Sequence, residues 1–305
     1  MKKSILALVV LAVLAAIVFW FLTAPVRLDE SVTAQMDAGD AARGEMVFWT
    51  GGCASCHAAD GAKGDEKLKL GGGHRLPTPA GIFVAPNISP DPETGIGNWT
   101  GADFANAVMK GVSPNGSHFY PAFPYTSYTR MKPEDVADLW AFMKTLPPVS
   151  RANEANELAL PFKLRRGLGL WKAMFMDSSP VVDLQTDDPA VLRGQYLVEG
   201  PGHCGECHTP RTFFGFGGSD RSRWLAGGPN PEGKGVIPNI TPDPTALGSW
   251  SAADIAGYLK TGFTPEFDSV GGSMVDVQEN MAHLKDDDLA AIAAYLKAIP
   301  PVPKQ

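Results

Sequence analysis

The sequence is poor in cysteine, with four in 305 residues, and all four lie in two short motifs. None is left over for a disulfide, which excludes a disulfide-stapled scaffold. No glycine-rich phosphate loop, nucleophile elbow or pair of carboxylates rises above chance. Charged residues make up only 19% of the chain, and its net charge of −7 argues against nucleic acid as a partner.

The two cysteine motifs carry the strongest chemical signal in the chain. They are Cys53-Ala-Ser-Cys56-His57 and Cys204-Gly-Glu-Cys207-His208, 151 positions apart. This pattern is the attachment signature of haem c, because two thiols three positions apart can each form a thioether with one vinyl edge of a haem. The adjacent histidine, His57 or His208, then reaches the iron from the proximal side. We therefore predict two covalently bound haem c groups.

Two other chemistries fit the motifs less well. A zinc site would need four ligands from a consistent set of cysteines and histidines. A redox-active dithiol would not need the histidine that follows each pair of cysteines. The repetition of the complete five-residue motif favours haem c over both.

The first residues predict a membrane segment. Lys2 and Lys3 precede 18 apolar residues, Ile5 to Leu22, which at about 1.5 Å per residue would span roughly 27 Å of hydrocarbon. A secretory signal is usually shorter and ends in small residues, whereas this run ends in aromatic residues suited to a membrane interface. We expect residues 1–25 to be an uncleaved anchor, with a cleaved signal peptide as the alternative. Either places the haem domains on the periplasmic side of the bacterial inner membrane.

The sequence after the first motif returns after the second, at offsets of 151 to 153 residues. The matching pairs are 85–92 with 237–244, Gly97-Asn98-Trp99 with Gly248-Ser249-Trp250, and 146–149 with 299–302. Such a repeat indicates a tandem duplication. We predict domain 1 over residues 26–150, a linker over 151–187 and domain 2 over 188–305.

Helix signals recur in both units. Asp188-Pro189 combines an N-cap residue with proline at the first helical position and predicts a helix that runs into the second motif. Residues 40–49 are its counterpart. Pro133 predicts the start of a later helix, whose apolar stripe is repeated over 289–296 and marks a core face.

The segments between these helices are rich in glycine and proline. Leu70–Pro92 and Gly215–Pro244 predict loops that wrap a prosthetic group, with little strand signal. The predicted fold class is all-α: two small cytochrome domains in tandem after an N-terminal transmembrane helix.

Over residues 40–305 the chain resembles the haem c subunits of membrane-bound bacterial dehydrogenases, such as the cytochrome subunits of alcohol and gluconate dehydrogenases. The motifs that carry the resemblance are Pro86–Pro92 with Gly95–Trp99, His118–Ala122, and Gly202–Arg211. It implies class I cytochrome c-like domains that take electrons from a dehydrogenase subunit and pass them towards quinone or a terminal acceptor of the respiratory chain. Those subunits usually carry three haem motifs, whereas this chain has two.

A low-spin electron carrier needs a sixth iron ligand, commonly methionine. In domain 2 we expect Met274, in a loop ahead of Leu284, with Met281 as a rival. In domain 1 the related family has a methionine where this chain has Phe123, and phenylalanine cannot bind iron. Because domain 1 has Phe123 where domain 2 has Met274, we expect the two haems to differ in their sixth ligand.

The remaining candidates for the first iron are Met131, Met109, His118 or no protein ligand. Met131 lies just before the helix start at Pro133. Its alternative role there is a hydrophobic staple, in which the residue before a helix packs against the first turn, and Leu284 has the matching place in domain 2.

Several other residues have ordinary roles that compete with functional ones. We expect His74, His118, His203 and His283 to be surface or hydrogen-bonding histidines rather than iron ligands. Arg211 would either pair with a haem propionate or stay solvated. Residues 160–176 mix apolar and basic side chains, which suits domain packing, a partner or the membrane surface.

Together these patterns predict a membrane-anchored periplasmic dihaem cytochrome c that carries electrons for a dehydrogenase, without substrate chemistry of its own. The alternative is a haem enzyme, of the dihaem peroxidase or thiosulfate-oxidising type, in which the first haem has an open or weakly held sixth site. Phe123 keeps that alternative open.

Overall fold

The computed structural model describes residues 2–230 and 235–303. Within them the chain is mainly helical, which confirms the all-α class. The helices are α1 (Lys2–Leu22), α2 (Glu30–Thr33), α3 (Ala41–Thr50), α4 (Cys53–His57), α5 (Gly101–Lys110), α6 (Tyr125–Tyr128), α7 (Pro133–Met143), α8 (Leu168–Phe175), α9 (Pro189–Glu199), α10 (Gly205–His208), α11 (Ala252–Thr261), α12 (Met274–Met281) and α13 (Asp286–Ala298). Short 3₁₀ turns occupy Met36–Ala38, Gly64–Leu68, Leu160–Lys163, Arg165–Gly167, Phe213–Gly215, Arg221–Arg223 and Leu247–Ser249.

Each unit of the repeat is built on two crossing helices, α3 with α7 and α9 with α13. A glycine lies at each crossing because the backbones approach too closely for a side chain. A Cβ on Gly44 would lie 1.9 Å from the Asp138 carbonyl oxygen, and a Cβ on Gly194 would lie 1.9 Å from that of Ala291. The two predicted helices of each unit are therefore paired in the same way.

An ion pair from the arginine before each crossing glycine ties the two helices. Arg43 Nε lies 2.6 Å from Asp138 Oδ2. In unit 2, Arg193 Nε lies 2.8 Å from Asp288 Oδ1, which is three residues nearer the start of the last helix than the crossing residue Ala291. The α3 helix begins as predicted, with the Asp40 side chain accepting a hydrogen bond from the Arg43 backbone N–H. Asp188 caps α9, which has proline at its first position, in a similar way.

The middle helix of each unit is delimited by repeated caps. A capping box opens both helices, Thr100 with Asp103 for α5 and Ser251 with Asp254 for α11. Both end at a glycine with positive φ, and the chain then turns back towards α6 or α12. The duplication inferred from sequence therefore extends to the ends of the helices.

The segments expected to be loops contain short strands, contrary to the prediction. In unit 1, β1 (Arg75–Thr78) and β2 (Gly81–Val84) form an antiparallel hairpin, and β3 (Glu157–Leu158) pairs with β2. In unit 2, β4 (Gly228–Pro229) pairs with β5 (Val236–Ile237). Strands this short have too few residues for period-2 alternation to appear in the sequence.

The segment predicted as a linker packs on both units. Asn153 Oδ1 accepts a hydrogen bond from the Asn87 backbone and Asn156 Oδ1 from that of Val84, so its first part belongs structurally to unit 1. The backbone N–H groups of Val181 and Val182 donate to the Glu199 carboxylate in unit 2. These hydrogen bonds join residues that are distant in sequence.

We predict that Gly44→Ala destabilises domain 1 by about 3 kcal/mol, because the methyl group must displace the backbone of α7. Gly257→Ala in α11 is the matched control. No atom lies within 4 Å of a Cβ built on Gly257, so this change should stabilise the protein by about 0.5–1 kcal/mol. Urea unfolding followed by circular dichroism measures both. Equal stability of the two variants would contradict the close crossing.

Candidate haem-attachment sites

The first motif forms the short helix α4, directly after α3. Gly52 has φ of 62°, a left-handed conformation that turns the chain between the two helices. The His57 side chain is half-buried, and its Nδ1 lies 2.8 Å from the carbonyl oxygen of Pro86. This carbonyl belongs to the repeated Pro-Asn-Ile segment, which is thereby placed beside the motif.

The second motif has the same geometry. His208 Nδ1 lies 2.8 Å from the carbonyl oxygen of Pro238, the repeat counterpart of Pro86. The residue that precedes the first cysteine is again left-handed, but it is His203, with φ of 39°, rather than glycine. A non-glycine residue in this region carries a modest strain.

These hydrogen bonds decide which ring nitrogen is available. A backbone carbonyl can only accept, so Nδ1 of His57 and of His208 carries the proton and Nε2 carries the lone pair. Burial lowers the pKa of both imidazoles, which keeps them neutral. A neutral imidazole oriented through Nδ1 is the state in which histidine binds a metal.

The thiols do not resemble those of a redox dithiol. Burial raises the pKa of the Cys53 thiol to about 12 and that of Cys204 to about 11, whereas catalytic dithiols have a lowered pKa. Within residues 2–230 and 235–303, no three Cys, His, Asp or Glu side chains converge as a metal-ion cage would require. The donor set fits haem c better than zinc or disulfide exchange.

Half-buried apolar side chains lie at equivalent positions of the two repeats. Ile88 and Trp99 pack against the core, as do Ile240 and Trp250 in unit 2. Each leaves part of its surface uncovered by protein. Such surfaces suit the apolar faces of a porphyrin. Together with the carbonyl-bonded histidine of each motif, they make a residue set that fits the group the motifs imply.

The sixth-ligand candidates differ between the units. After the middle helix, the Phe119 N–H donates to the Gly111 carbonyl and the Val270 N–H to that of Gly262, which makes the following loops equivalent. Four residues further on, Phe123 in unit 1 corresponds to Met274 in unit 2. Met274 is half-buried and begins α12, so its expected place in a loop is wrong.

The other methionine candidates are buried. Met131 is 3% exposed and Leu284 1% exposed, and each is the second residue before its helix, α7 or α13. These are staple positions in both units. Met281 and Met109 also lie in the core.

Three of the four other histidines have partners within the protein. His118 Nε2 lies 2.9 Å from the Thr23 carbonyl oxygen, His74 pairs with Asp60, and His283 stacks on Trp49 with ring centroids 3.8 Å apart. The Arg211 guanidinium pairs with the Glu206 carboxylate and its side chain is only 19% exposed, so the expectation of a solvated arginine is wrong, and pairing with a haem propionate stays a prediction.

The two motifs lie side by side across the interface between the units. A Cβ on Gly52 would be 3.3 Å from His203 Nε2, and these residues precede Cys53 and Cys204. The His203 ring makes an edge contact with Tyr128, whose hydroxyl donates to the Gly51 carbonyl at 2.6 Å. The ends of the two attachment helices are therefore in contact.

A reciprocal set of hydrogen bonds, here called the interdomain clasp, holds this arrangement. Asn280 of α12 donates to Ser55 Oγ in the first motif at 2.8 Å. Thr126 and Ser127 of α6 each donate to Glu206 Oε1 in the second motif at 2.7 Å. Burial opposes the charge on Glu206, but Arg211 and these hydroxyls hold its pKa below the ordinary carboxyl value.

Comparison with known proteins agrees with this geometry. A cytochrome c family profile matches residues 41–147. The chain is 55% identical over 302 residues to a dihaem cytochrome c-type protein of Cereibacter sphaeroides, covering 99% of this chain and 100% of the relative. The chain belongs to the cytochrome c family. Members of this family are electron-transfer cytochromes with covalently bound haem c.

This cytochrome is also similar to longer dehydrogenase subunits. It is 41% identical over 270 residues to the cytochrome c subunit of a quinone-dependent alcohol dehydrogenase of Gluconobacter oxydans, covering 86% of this chain and 55% of the relative. It is 36% identical over 308 residues to the gluconate 2-dehydrogenase cytochrome c subunit of Pantoea cypripedii, covering 98% and 65%. The chain thus spans between half and two thirds of these relatives.

The clasp could not be found from sequence. Ser55 and Glu206 occupy the variable positions of Cys-x-x-Cys-His, where the attachment chemistry places no demand on the side chain. Asn280, the partner of Ser55, lies 225 positions away from it, and Thr126, a partner of Glu206, lies 80 positions away. Only the offset of 151 residues that relates Ser55 to Glu206 hints at a shared role.

We predict that Glu206→Gln destabilises the protein by about 1–3 kcal/mol, since charge-assisted hydrogen bonds from two hydroxyls and Arg211 are weakened. Because the folded-state pKa is lowered, the contribution of Glu206 is present above the ordinary carboxyl value of 4.5 and declines as pH falls through the folded-state value. The control, Glu66→Gln, removes an exposed pair with Lys69 and should change stability by less than about 0.5 kcal/mol. Urea unfolding at neutral and acid pH tests this; an effect no larger than that of the control would contradict the clasp.

Proposed function

We propose that this cytochrome is a membrane-anchored periplasmic electron carrier with two haem c groups, serving a partner dehydrogenase. Cys53 and Cys56 attach the first haem, and Cys204 and Cys207 the second. The observation that carries the proposal is the paired geometry of the two motifs, each with its histidine hydrogen-bonded to an equivalent proline carbonyl.

Haem c supplies a one-electron Fe(III)/Fe(II) couple when bound. The chain would orient this couple through His57 and His208, whose Nε2 atoms would bind the metal, while the carbonyls of Pro86 and Pro238 hold the rings in one tautomer. The carbonyl hydrogen bond also makes the imidazole a better electron donor. The half-buried apolar side chains Ile88, Trp99, Ile240 and Trp250 would help to exclude water, which would reduce the solvent rearrangement that a change of charge requires.

The contact between the two motifs supports a relay within one chain. Gly52 and His203 adjoin each other, and the clasp fixes both attachment helices through partners in the opposite unit. A rigid interface of this kind keeps the separation of two redox groups constant. This is what a carrier with an entry and an exit site needs.

Met274 is the proposed sixth ligand of the second haem, because a methionine thioether suits a low-spin carrier. For the first haem, Met131 remains the leading candidate, followed by an open or water-bound site. The burial of Met131 and its position before α7 also fit a hydrophobic staple, so spectroscopy must separate that packing role from iron ligation.

The anchor is α1. Its 21 residues form one continuous helix in which none is buried, and its length and composition would suffice to cross a membrane. An apolar helix of this length that no other part of the chain covers suits the interior of a bilayer. With Lys2 and Lys3 on the cytoplasmic side, both haem units face the periplasm.

The partner follows from the relatives. Several are cytochrome c subunits of dehydrogenases acting on alcohol, gluconate or fructose. A subunit of that kind accepts electrons from the catalytic subunit and passes them to quinone or another acceptor in the respiratory chain. The acidic net charge of this cytochrome suits a partner with a basic docking surface.

A haem enzyme of the peroxidase or thiosulfate-oxidising type is the second candidate function, favoured by Phe123 alone. The ring contacts of Phe123 are with Phe119, Tyr125 and Tyr128. The Tyr128 hydroxyl is committed to a carbonyl, and burial raises its pKa well above the ordinary value. Such surroundings favour packing over proton transfer, which supports the electron carrier.

We predict that the double variant Cys204→Ala/Cys207→Ala carries one covalent haem where the parent carries two, because each haem needs its own pair of thiols. Mass spectrometry under denaturing conditions counts the haems. Ser55→Ala, a change between the cysteines of the first motif, should retain both. Two haems on the double variant would defeat the assignment of the second site.

The sixth ligands can be assigned by optical spectra of the oxidised protein. Met274→Ala should abolish the methionine-to-iron charge-transfer band of the second haem, and any residual band should disappear in Met131→Ala. Met174→Ala, an exposed methionine, is the control and should leave the spectrum intact. A first haem unaffected by Met131→Ala and open to carbon monoxide would favour the enzyme.

Purification from detergent-solubilised membranes tests the anchor and the partner together. The intact mass should include residues 1–25 in addition to two haems. A dehydrogenase subunit should co-elute and reduce the cytochrome when its substrate is added. A mature chain that begins near Ala24 and is recovered from the soluble periplasm would show that α1 is a cleaved signal.

A further inference from the structure

We propose that the cytochrome has a second membrane-binding surface, which lies flat on the anionic phospholipid headgroups around the exit of α1. We call this surface the collar. It consists of Leu160, Leu164, Leu170, Met174, Phe213 and Phe216, together with the basic residues Lys163, Arg165 and Arg166. The inference rests on the proposed anchoring by α1 and deepens it by fixing the orientation of the haem units.

The end of α1 is held against the collar. Thr23 is fully buried, and a Cβ on Gly169 would lie 2.6 Å from the Thr23 Cα. Arg166 Nε donates to Thr23 Oγ1 at 3.0 Å, and its guanidinium carbon lies 4.0 Å from the centroid of the Trp20 ring. If α1 spans the bilayer, its last turn is at headgroup level, and the residues packed around Thr23 are there too.

The collar exposes large apolar side chains that a water-soluble surface would cover. Leu160 is 80% exposed, Leu164 73%, Phe213 69% and Met174 67%. Exposed leucines are ordinary when scattered, but a contiguous apolar patch indicates a surface that contacts something else.

The collar comes from two segments of the chain, which are held together by direct contacts. The rings of Phe162 and Phe216 stack with centroids 5.2 Å apart, and Trp171 Nε1 donates to the Phe216 carbonyl at 2.9 Å. The Tyr120 hydroxyl donates to the Phe162 carbonyl at 2.7 Å, which attaches the collar to the loop that carries Phe123. These contacts hold the apolar side chains in place rather than leaving them on a free loop.

Charge distinguishes lipid from other occupants. Residues 158–176 contain Lys163, Arg165, Arg166 and Lys172 and no Asp or Glu, in a chain of net charge −7. Lys172 is buried, with its ammonium capping the Lys110 and Gly111 carbonyls, while Lys163 and Arg165 are exposed. A basic and apolar segment beside a membrane span is the composition that binds anionic lipid.

Nitroxide labels on the full-length haem-loaded protein test the collar in vesicles of equal parts phosphatidylcholine and phosphatidylglycerol. Labels are placed singly at Leu164→Cys and Met174→Cys on the collar, at Leu11→Cys within α1, and at Phe267→Cys as the control. Phe267 is 85% exposed and belongs to unit 2. Collisions with dissolved oxygen and with a water-soluble nickel chelate report the depth of each label. Haem counting by mass confirms that each added cysteine has left both attachment sites intact.

The expected result is a Leu11 label in the hydrocarbon core, Leu164 and Met174 labels roughly 5–10 Å deep in the headgroup region and its boundary with the acyl chains, and a Phe267 label in water. Lys163→Gln/Arg165→Gln, or vesicles without phosphatidylglycerol, should move the Leu164 label towards water without moving Leu11.

A Leu164 label as exposed to the chelate as Phe267, with Leu11 still deep, would overturn the collar and leave the anchor standing. A Leu11 label in water would overturn both. If Leu164 is wet in vesicles but shielded when a dehydrogenase is bound, the collar is a protein interface and the membrane assignment fails. Hydrogen exchange of the unlabelled protein in the same vesicles gives an independent measurement: residues 158–176 should be protected relative to detergent.

Discussion

The contact on which each unit depends is the close crossing of its first and last helices at a single glycine. With no side chain at Gly44 or Gly194, the two backbones meet and the direction of the first helix is set. Its end then determines where the cysteine motif begins, since only a short turn, residues 51–52 or 200–203, separates them, and each turn ends in a left-handed residue. The histidine that follows reaches the proline carbonyl only because this crossing has placed the motif opposite the Pro-Asn-Ile segment. Attachment geometry therefore follows from helix packing.

The two units are joined by exchange of contacts rather than by the linker alone. In each unit, a helix at the loop that follows the middle helix reaches across to the other unit's motif: α12, which begins at Met274, hydrogen-bonds Ser55, and α6, which follows Phe123, hydrogen-bonds Glu206. This loop of one unit is thereby connected to the attachment motif of the other. A change in either loop has a direct physical route to the opposite motif. The two units are therefore joined by their own side chains as well as by the segment between them.

The repeat is symmetric in architecture and asymmetric in chemistry. The crossing glycines, ion pairs, capping boxes and proline carbonyls recur in both units. The differences include Phe123 against Met274 and Gly52 against His203. Duplication preserved what folding requires and changed residues in the loop after the middle helix and in front of the motif. Under the proposed ligation, the two haems would have different sixth ligands and therefore different reduction potentials.

The sequence by itself determined the local chemistry and the repeating plan. Motif spacing predicted the attachment residues and proximal histidines, and N-cap and proline signals predicted the starts of α3, α7 and α9, because both depend on residues within one helical turn of each other. It missed the short strands, since two to four residues carry no periodic pattern, and it misplaced Met274, which begins a helix. The tertiary structure alone decided the proline carbonyl partners, the pairing of Arg211 with Glu206, the clasp, and the burial of Thr23 under Arg166 and Gly169. Each of these joins groups brought together by packing, and a hydrogen bond between distant residues leaves no trace in the spacing of either.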